Sequence, residues 1–388
     1  MAKLDFVNQV VAMSTTVGHQ LQSKALLQQP AIGINGAVMV TSRELVDEAL
    51  KNPATFSSED LVEQGNSKPL IPLNIDPPDH VKYRKLLSPL FAPRQIDKLE
   101  ADITERVNHF IDQFEARGSC DFTADFAELL PASIFLGMMG LPWDELPVLT
   151  ELRDGLLRPG TASMTAAERS AIQRATAERV YTYFDAILEE RAAEPRDDIL
   201  TLFTTVEEEG DRLTRDEILS ICFVLLTAGL DTVTDALTCF FAFLAQNPEH
   251  RRQIVADPSV IPNAVEELLR WETPVPAVVR WARESTAIGG QTVTAGHHLL
   301  ANISAANLDP AEFPDPMEVR FDRADNNHLA FGRGVHFCLG SHLARRELRI
   351  TLEEWHRRIP EYTLTPGYEV SYLAPLRFVP DLQLSWPV

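Results

Sequence analysis

Residues 331–340 read FGRGVHFCLG and run straight into SHLARRELRITLEEWHRRI, and no other segment constrains the fold as much. Beyond it, Leu343, Leu348, Leu352, Trp355 and Ile359 form an apolar stripe at helical spacing, so Cys338 is predicted to lie at a helix N-terminus. There the helix dipole and the free backbone N–H groups favour a thiolate, the form that binds metal or attacks electrophiles. Gly332, Gly334 and Gly340 permit tight turns and let the backbone approach whatever faces the sulfur. A large, flat ligand suits that description. A buried structural cysteine, a zinc site using His336, Cys338 and His342, and a nucleophilic cysteine with a distant base use the same residues and stay open at this point.

A second constellation, Ala228-Gly229-Leu230-Asp231-Thr232, interrupts the most apolar stretch of the chain. Glycine costs about 1 kcal/mol inside a helix, and Asp and Thr offer the backbone competing hydrogen bonds. Two outcomes follow: a locally opened helix whose carboxylate and hydroxyl hold a small polar ligand and relay protons, or a break at which Asp231 caps a new helix from Thr232 to Ala245. Glu267 and Arg270 stand at i, i+3, a spacing that alone describes a solvated surface contact of about 0.3 kcal/mol.

The 388 residues contain no low-complexity linker and no internal repeat, so a single domain over 1–388 is expected. Apolar spacing is helical through most of Gln95 to Ile254, while strand-like alternation is confined to about 31–41, 287–303 and 362–388. The expected fold class is mainly α with a minor, segregated β region. Four scattered cysteines do not make a disulfide framework, which points to a reducing cytoplasm. The N-terminal residues include Asp5 and Asn8 and no long apolar run, so neither a signal peptide nor an anchor is expected; Ile218 to Leu230 reads as a buried helix. A net charge of −21 argues against nucleic acid and anionic lipid as partners. No glycine loop for flavin or nicotinamide follows a strand, so electrons for any redox chemistry must come from another protein.

Taken in order, these segments resemble the cytochrome P450 superfamily of haem-thiolate monooxygenases. The family's cysteine loop is filled at Phe331, Gly332, Gly334, His336, Cys338 and Gly340, then Leu343, Ala344 and Glu347; its Glu-x-x-Arg pair is Glu267 and Arg270; its oxygen-groove motif is Ala228, Gly229, Asp231 and Thr232. The resemblance implies the P450 fold and haem b, with Cys338 as the thiolate ligand. It places Ala228, Gly229, Phe331 and Gly340 against the haem, and His80, Arg84, Arg280 and His336 toward its propionates. Arg323 joins Glu267 and Arg270 in a buried ion network. Thr232 and Asp231 become the catalytic pair that handles dioxygen and protons, in hydroxylation of an unactivated C–H bond.

Within the superfamily, 120–270 is most similar to the bacterial camphor-hydroxylase group. Lys68, Leu73 and Val278 stand where that group has polar substrate contacts, so camphor itself is not expected. The implied lining of Leu70, Leu73, Leu225, Ala228, Pro276, Val278 and Leu376 suits a bulky apolar substrate, terpenoid or steroid-like. Arg333, Arg345, Arg346 and Arg349 flank the cysteine loop and reverse the overall charge locally, which suggests docking of an acidic ferredoxin, itself served by a reductase, on a monomeric enzyme. A peroxide-driven haem enzyme and a haem sensor without turnover are the alternatives.

Overall fold

A computed structural model describes residues 18–34, 36–59, 64–160, 163–208, 210–374 and 376–388. The N-terminal expectation built on Asp5 and Asn8 lies outside the described residues. The chain divides into two compact units: one holds the residues up to Ser57, Leu99–Glu128 and Thr232–Val388, the other Ser58–Lys98 and Leu129–Asp231.

The first unit contains the principal sheet. Val38, Val40, Leu299 and Ala301 alternate with polar or differently packed neighbours and bury one face completely, so their strands pair centrally. The strand order is Ala31–Ile34, Ala37–Val40, His298–Asn302, Ala277–Ala282, Phe56–Ser57. All pairings are antiparallel except that of Ala37–Val40 with His298–Asn302. The strand Ala277–Ala282 escapes sequence reading because AVVRWA is an apolar run broken only by Arg280, without the polar alternation that marks a strand. Its register sets Val278 opposite Ala301 and Arg280 opposite Leu299, on one face. A hairpin of Thr286–Ile288 and Gln291–Val293 turns at Gly289 and Gly290, both at positive φ, as a tight turn of that kind demands. The C-terminal strands Thr363–Leu364 and Gln383–Ser385 pair with each other and with Ser119–Asp121.

The same unit holds the helices Glu100–Asp112 and Ile261–Glu272, both packed on Ser341–Arg358, and on the last of these the Trp355 ring meets Phe114, Phe122, Phe126 and Phe241 edge-on or tilted. The second unit is helical: Asp79–Leu87, Leu129–Met138, Leu146–Leu157, Ala166–Ala193 and Ile199–Thr205. Thr165 and Glu168 form a capping box on the 28-residue helix. At its far end Arg191 meets Asp198 at 2.5 Å and donates to the Gly140 carbonyl at 2.9 Å, with all of Asp198 buried.

The helix Arg215–Gln246 begins in the second unit and ends in the first without interruption. The break at Asp231 therefore does not form. Asp231 has other partners, described below, and the hydroxyls that could have opened the helix bond outward or back: Thr227 to the Phe223 carbonyl at 3.0 Å, Thr234 to the Ala127 carbonyl at 2.8 Å. By length and composition this helix could cross a bilayer, yet its most apolar stretch is largely buried inside the protein.

Candidate active site

The cysteine loop closes on itself. Cys338 N–H donates to the Phe331 carbonyl at 2.9 Å, and Phe337 N–H to the Gly334 carbonyl at 3.2 Å, around a short turn of 3-10 helix, Gly334–His336. Gly332 and Gly334 both sit at φ +70°. At Gly334 a side chain is excluded twice over, since a Cβ would lie 2.4 Å from the Leu50 carbonyl oxygen. Gly334 thus serves the loop's seat on the Arg43–Lys51 helix, whereas Gly340, with nothing within 4 Å of where its Cβ would be, is small without being crowded by protein. Gly340 is the N-cap of Ser341–Arg358 and carries no capping side chain, so the first-turn N–H groups beside Cys338 keep their positive field.

Of the four cysteines, only Cys338 is exposed. Burial pushes the thiols of Cys120, Cys222 and Cys239 far up, so none of the three can serve as a thiolate. No group of His, Cys, Asp and Glu suited to a metal ion occurs among the described residues, and the zinc reading finds no support.

Every described residue of the long helix from Ile218 to Ala245 is buried except Leu225, Ala228, Gly229 and Thr232. These four are spaced i, i+3, i+4, i+7 and form one uncovered stripe on an otherwise enclosed helix. A Cβ on Gly229 would meet nothing within 4 Å. A broad, flat apolar group fits such a stripe, and a single exposed thiol at a helix start fits a thiolate-bound iron; the residues present suit haem.

Next to the stripe, Asp231 is buried and paired: Arg158 Nη2 lies 3.1 Å and Arg153 Nε 3.7 Å from its Oδ1. Arg153 is itself buried and also meets Asp154, while Arg158 is partly exposed. Neither arginine was legible in the sequence, because both lie more than 70 residues upstream with no spacing to announce them.

His80 and Arg84 share one face of Asp79–Leu87. Burial, and then the charge of Arg84, push His80 down to about 4 against the pull of Asp76, so it is a neutral imidazole. In the other unit, Arg280 and His336 are both partly exposed, on the strand Ala277–Ala282 and in the loop turn respectively.

The isolated-pair reading of Glu267 and Arg270 fails, because both are fully buried. Arg270 grips Glu267 with two bonds of 2.8 Å and donates further to the carbonyls of Asn307, Pro316 and Glu318. Arg323 Nε reaches Glu267 at 3.0 Å, and Asn326 and the Arg320 backbone N–H complete the carboxylate's shell.

Two corrections concern the expected surfaces. Leu70 and Pro276 are buried against protein and offer no face to a ligand, whereas Leu73 is exposed and Leu225, Val278 and Leu376 are half-buried. Lys68 is engaged with Asp216 at 2.8 Å. The four arginines around the loop are not a bare positive patch: Arg345 is held by Glu266, Arg346 and Arg349 by Glu100, Arg349 also by Glu353, and Arg333 lies 3.7 Å from Asp47. The neutralising acids come mostly from distant segments, so counting charges along the sequence near the loop could not find them. Glu347, the one acid within the run, points inward, and burial raises its pKa to about 8.

The segments carrying Val278 and Leu376 are tied together. Arg377 donates to Glu272 at 3.0 Å, both fully buried, stacks its guanidinium 3.7 Å over Tyr372, and gives its backbone N–H to the Pro274 carbonyl at 2.9 Å.

The sequence model described as Cytochrome P450 matches residues 156–357. Mycinamicin IV hydroxylase/epoxidase of Micromonospora griseorubida is 35% identical over 320 residues, 81% of this chain and 75% of that protein. A steroid C26-monooxygenase of Mycolicibacterium smegmatis is 33% identical over 348 residues, covering 89% and 86%. Among solved structures, CYP109E1 from Bacillus megaterium in complex with corticosterone superposes with a TM-score of 0.87 at 26% identity, over 95% of this chain and 98% of that one. CYP101J2 does so with 0.85 at 31%, over 95% and 93%. The loop that presents one thiol, the buried Glu267–Arg270–Arg323 network and these likenesses agree: the chain belongs to the cytochrome P450 family, bacterial haem-thiolate monooxygenases that carry haem b.

Proposed function

We propose that the enzyme hydroxylates a bulky, mainly apolar molecule of steroid or terpenoid size, and that Cys338 holds the haem iron. The observation that carries this is the single exposed thiol set at a helix start, with the other three thiols buried. Arg84, Arg280 and His336 supply charge or N–H donors for the two haem carboxylates, with His80 in reserve as a neutral donor. When bound, the haem supplies the oxygen-activating chemistry, tuned by its thiolate ligand.

The chain's own contribution is protons and exclusion of water. Thr232 Oγ1 holds a proton at the reacting oxygen, and Asp231, tied to the partly exposed Arg158, connects that point to solvent. Thr232→Ala is expected to divert most reducing equivalents to peroxide while oxygen uptake continues. Peroxide and product are measured against oxygen consumed, and unchanged coupling would remove Thr232 from this role. Leu73, Leu225, Val278 and Leu376 supply apolar area with few polar anchors. The relatives named for steroid oxidation, and those solved with corticosterone and testosterone, support the size class.

Testosterone and corticosterone are the first probes. Product formed with dioxygen and a ferredoxin–reductase pair supports the monooxygenase reading; product with peroxide alone favours a peroxide-driven enzyme, and binding without product favours a sensor. A separate acidic ferredoxin in the cytoplasm is the proposed electron donor. Its docking must exchange the internal partners of Arg346 and Arg349 for its own carboxylates, so steering is weaker than a bare patch would give. Arg349→Glu is expected to slow reduction severalfold at low salt and less at high salt in stopped-flow mixing. Equal slowing at both would argue against charge steering.

A further inference from the structure

Glu266 has no part in the reading above, although it sits beside Glu267. On the Ile261–Glu272 helix it faces two elements at once. Arg345, from the helix that follows the cysteine, donates Nε and Nη2 to its two oxygens at 2.7 and 2.8 Å, the fork geometry that arginine alone provides. His328, just before the cysteine loop, donates Nε2–H to Oε2 at 3.0 Å. The tautomer follows from the other ring nitrogen, since Nδ1 accepts the Ala330 N–H at 3.1 Å. Burial pushes His328 down and leaves the imidazole neutral. Burial also works to raise the Glu266 pKa, but the bonds from His328 and Arg345 outweigh it and hold the carboxyl at about 2. The cluster is therefore one anion and one cation.

That cation, though partly exposed, is engaged within the chain. Its guanidinium lies 4.2 Å from the centre of the Phe331 ring, stacked by cation–π attraction. Phe331 is the residue whose carbonyl accepts the Cys338 N–H. A chain of direct contacts thus runs from Glu266 through Arg345 and Phe331 to the backbone of the cysteine.

We propose that Glu266 is a positioning residue for the thiolate: by holding Arg345 flat on Phe331 and neutralising it, Glu266 fixes the cysteine loop and sets the reduction potential of the iron. This rests on the assignment of Cys338 as the iron ligand. It also gives Arg345 a role within the enzyme besides any in ferredoxin docking. Outer-shell charge and hydrogen bonding are recognised levers on a metal's potential. Removal of the anion leaves a net positive charge against Phe331, which favours the ferrous state. Removal of the cation leaves a net negative charge, which favours the ferric state.

The test is spectroelectrochemical titration of purified haem-loaded protein with small mediators and no protein partner. Glu266→Gln is expected to raise the ferrous-to-ferric ratio at a fixed potential about tenfold, which is about 59 mV for a one-electron couple. Arg345→Gln is expected to move it the opposite way, and the double variant to return most of the way to wild type. Glu266→Asp, which keeps the charge, is the control and stays near wild type, and Arg345→Gln serves as the readout should Glu266→Gln bind haem poorly. Shifts of the same sign in the two single variants, or an unchanged potential, overturn the proposal, since mere loosening of the fold has no reason to reverse sign with charge. Absence of the long-wavelength carbon monoxide band in the wild-type protein would instead overturn the ligand assignment.

Discussion

Replacement of Cys338 by serine is expected to abolish the long-wavelength band that reduced, carbon monoxide-bound haem shows when its iron is held by sulfur, and to take monooxygenase turnover to background. No other thiol can substitute. Cys120 is buried in the strand Ser119–Asp121, and Cys222 and Cys239 in the helix Arg215–Gln246, where loss of solvent disfavours their anions. Serine fills nearly the same volume, and its backbone N–H can still reach the Phe331 carbonyl, so the loop keeps its shape while the ligand is lost. The measurement is the reduced carbon monoxide difference spectrum of purified variant beside wild type. A variant that kept the band would mean that the iron is held elsewhere.

The second large effect concerns stability. Glu267 and Arg270 are wholly buried, and the carboxylate is bonded by Arg270, Arg323, Asn326 and a backbone N–H. Deleting one partner of a buried pair strands the other charge, at a cost of about 3–5 kcal/mol. Set against a total stability of about 5–15 kcal/mol, that is a large fraction. Glu267→Gln strands two guanidinium groups and is expected to lower Tm by roughly 10 °C, at the 2–4 °C per kcal/mol typical of larger domains. Glu267→Asp retains the charge but shortens the reach, and should fall between the two. Thermal unfolding followed by circular dichroism checks both, and a Gln variant that melts with wild type would show that the network contributes little.

The cysteine loop was legible because its chemistry is written in ten consecutive residues, where glycines, a cysteine and a helix start declare each other. The long helices were legible for the same reason, since periodicity over 20 or 30 residues is a local signal. Three kinds of feature were not. The strand Ala277–Ala282 reads AVVRWA, an apolar run without polar alternation, and so lacks the period-2 signal on which strand recognition rests. The helix through Asp231 stayed whole because the carboxylate found Arg153 and Arg158, whose distance along the chain hides the pairing that spares the backbone. Glu266 drew no reading from the sequence, because His328 and Arg345 reach it from 62 and 79 residues away. What sequence reading cannot supply is the identity of each charge's partner, and the electrostatics of the cysteine loop are made almost wholly of such partners.

The clasp of Arg377 on Glu272 and Pro274 bears on how the enzyme meets its guest. Segments that border a cavity are commonly loose and must be ordered afresh each time something binds, and that entropy is subtracted from affinity. Here the stretches that carry the proposed lining residues Val278 and Leu376 are already fastened to one another, so on that proposal their immobilisation is completed once, during folding, and not repeated at every turnover. One wall that is rigid in advance rewards molecules whose outline matches it and gives little ground to those that do not.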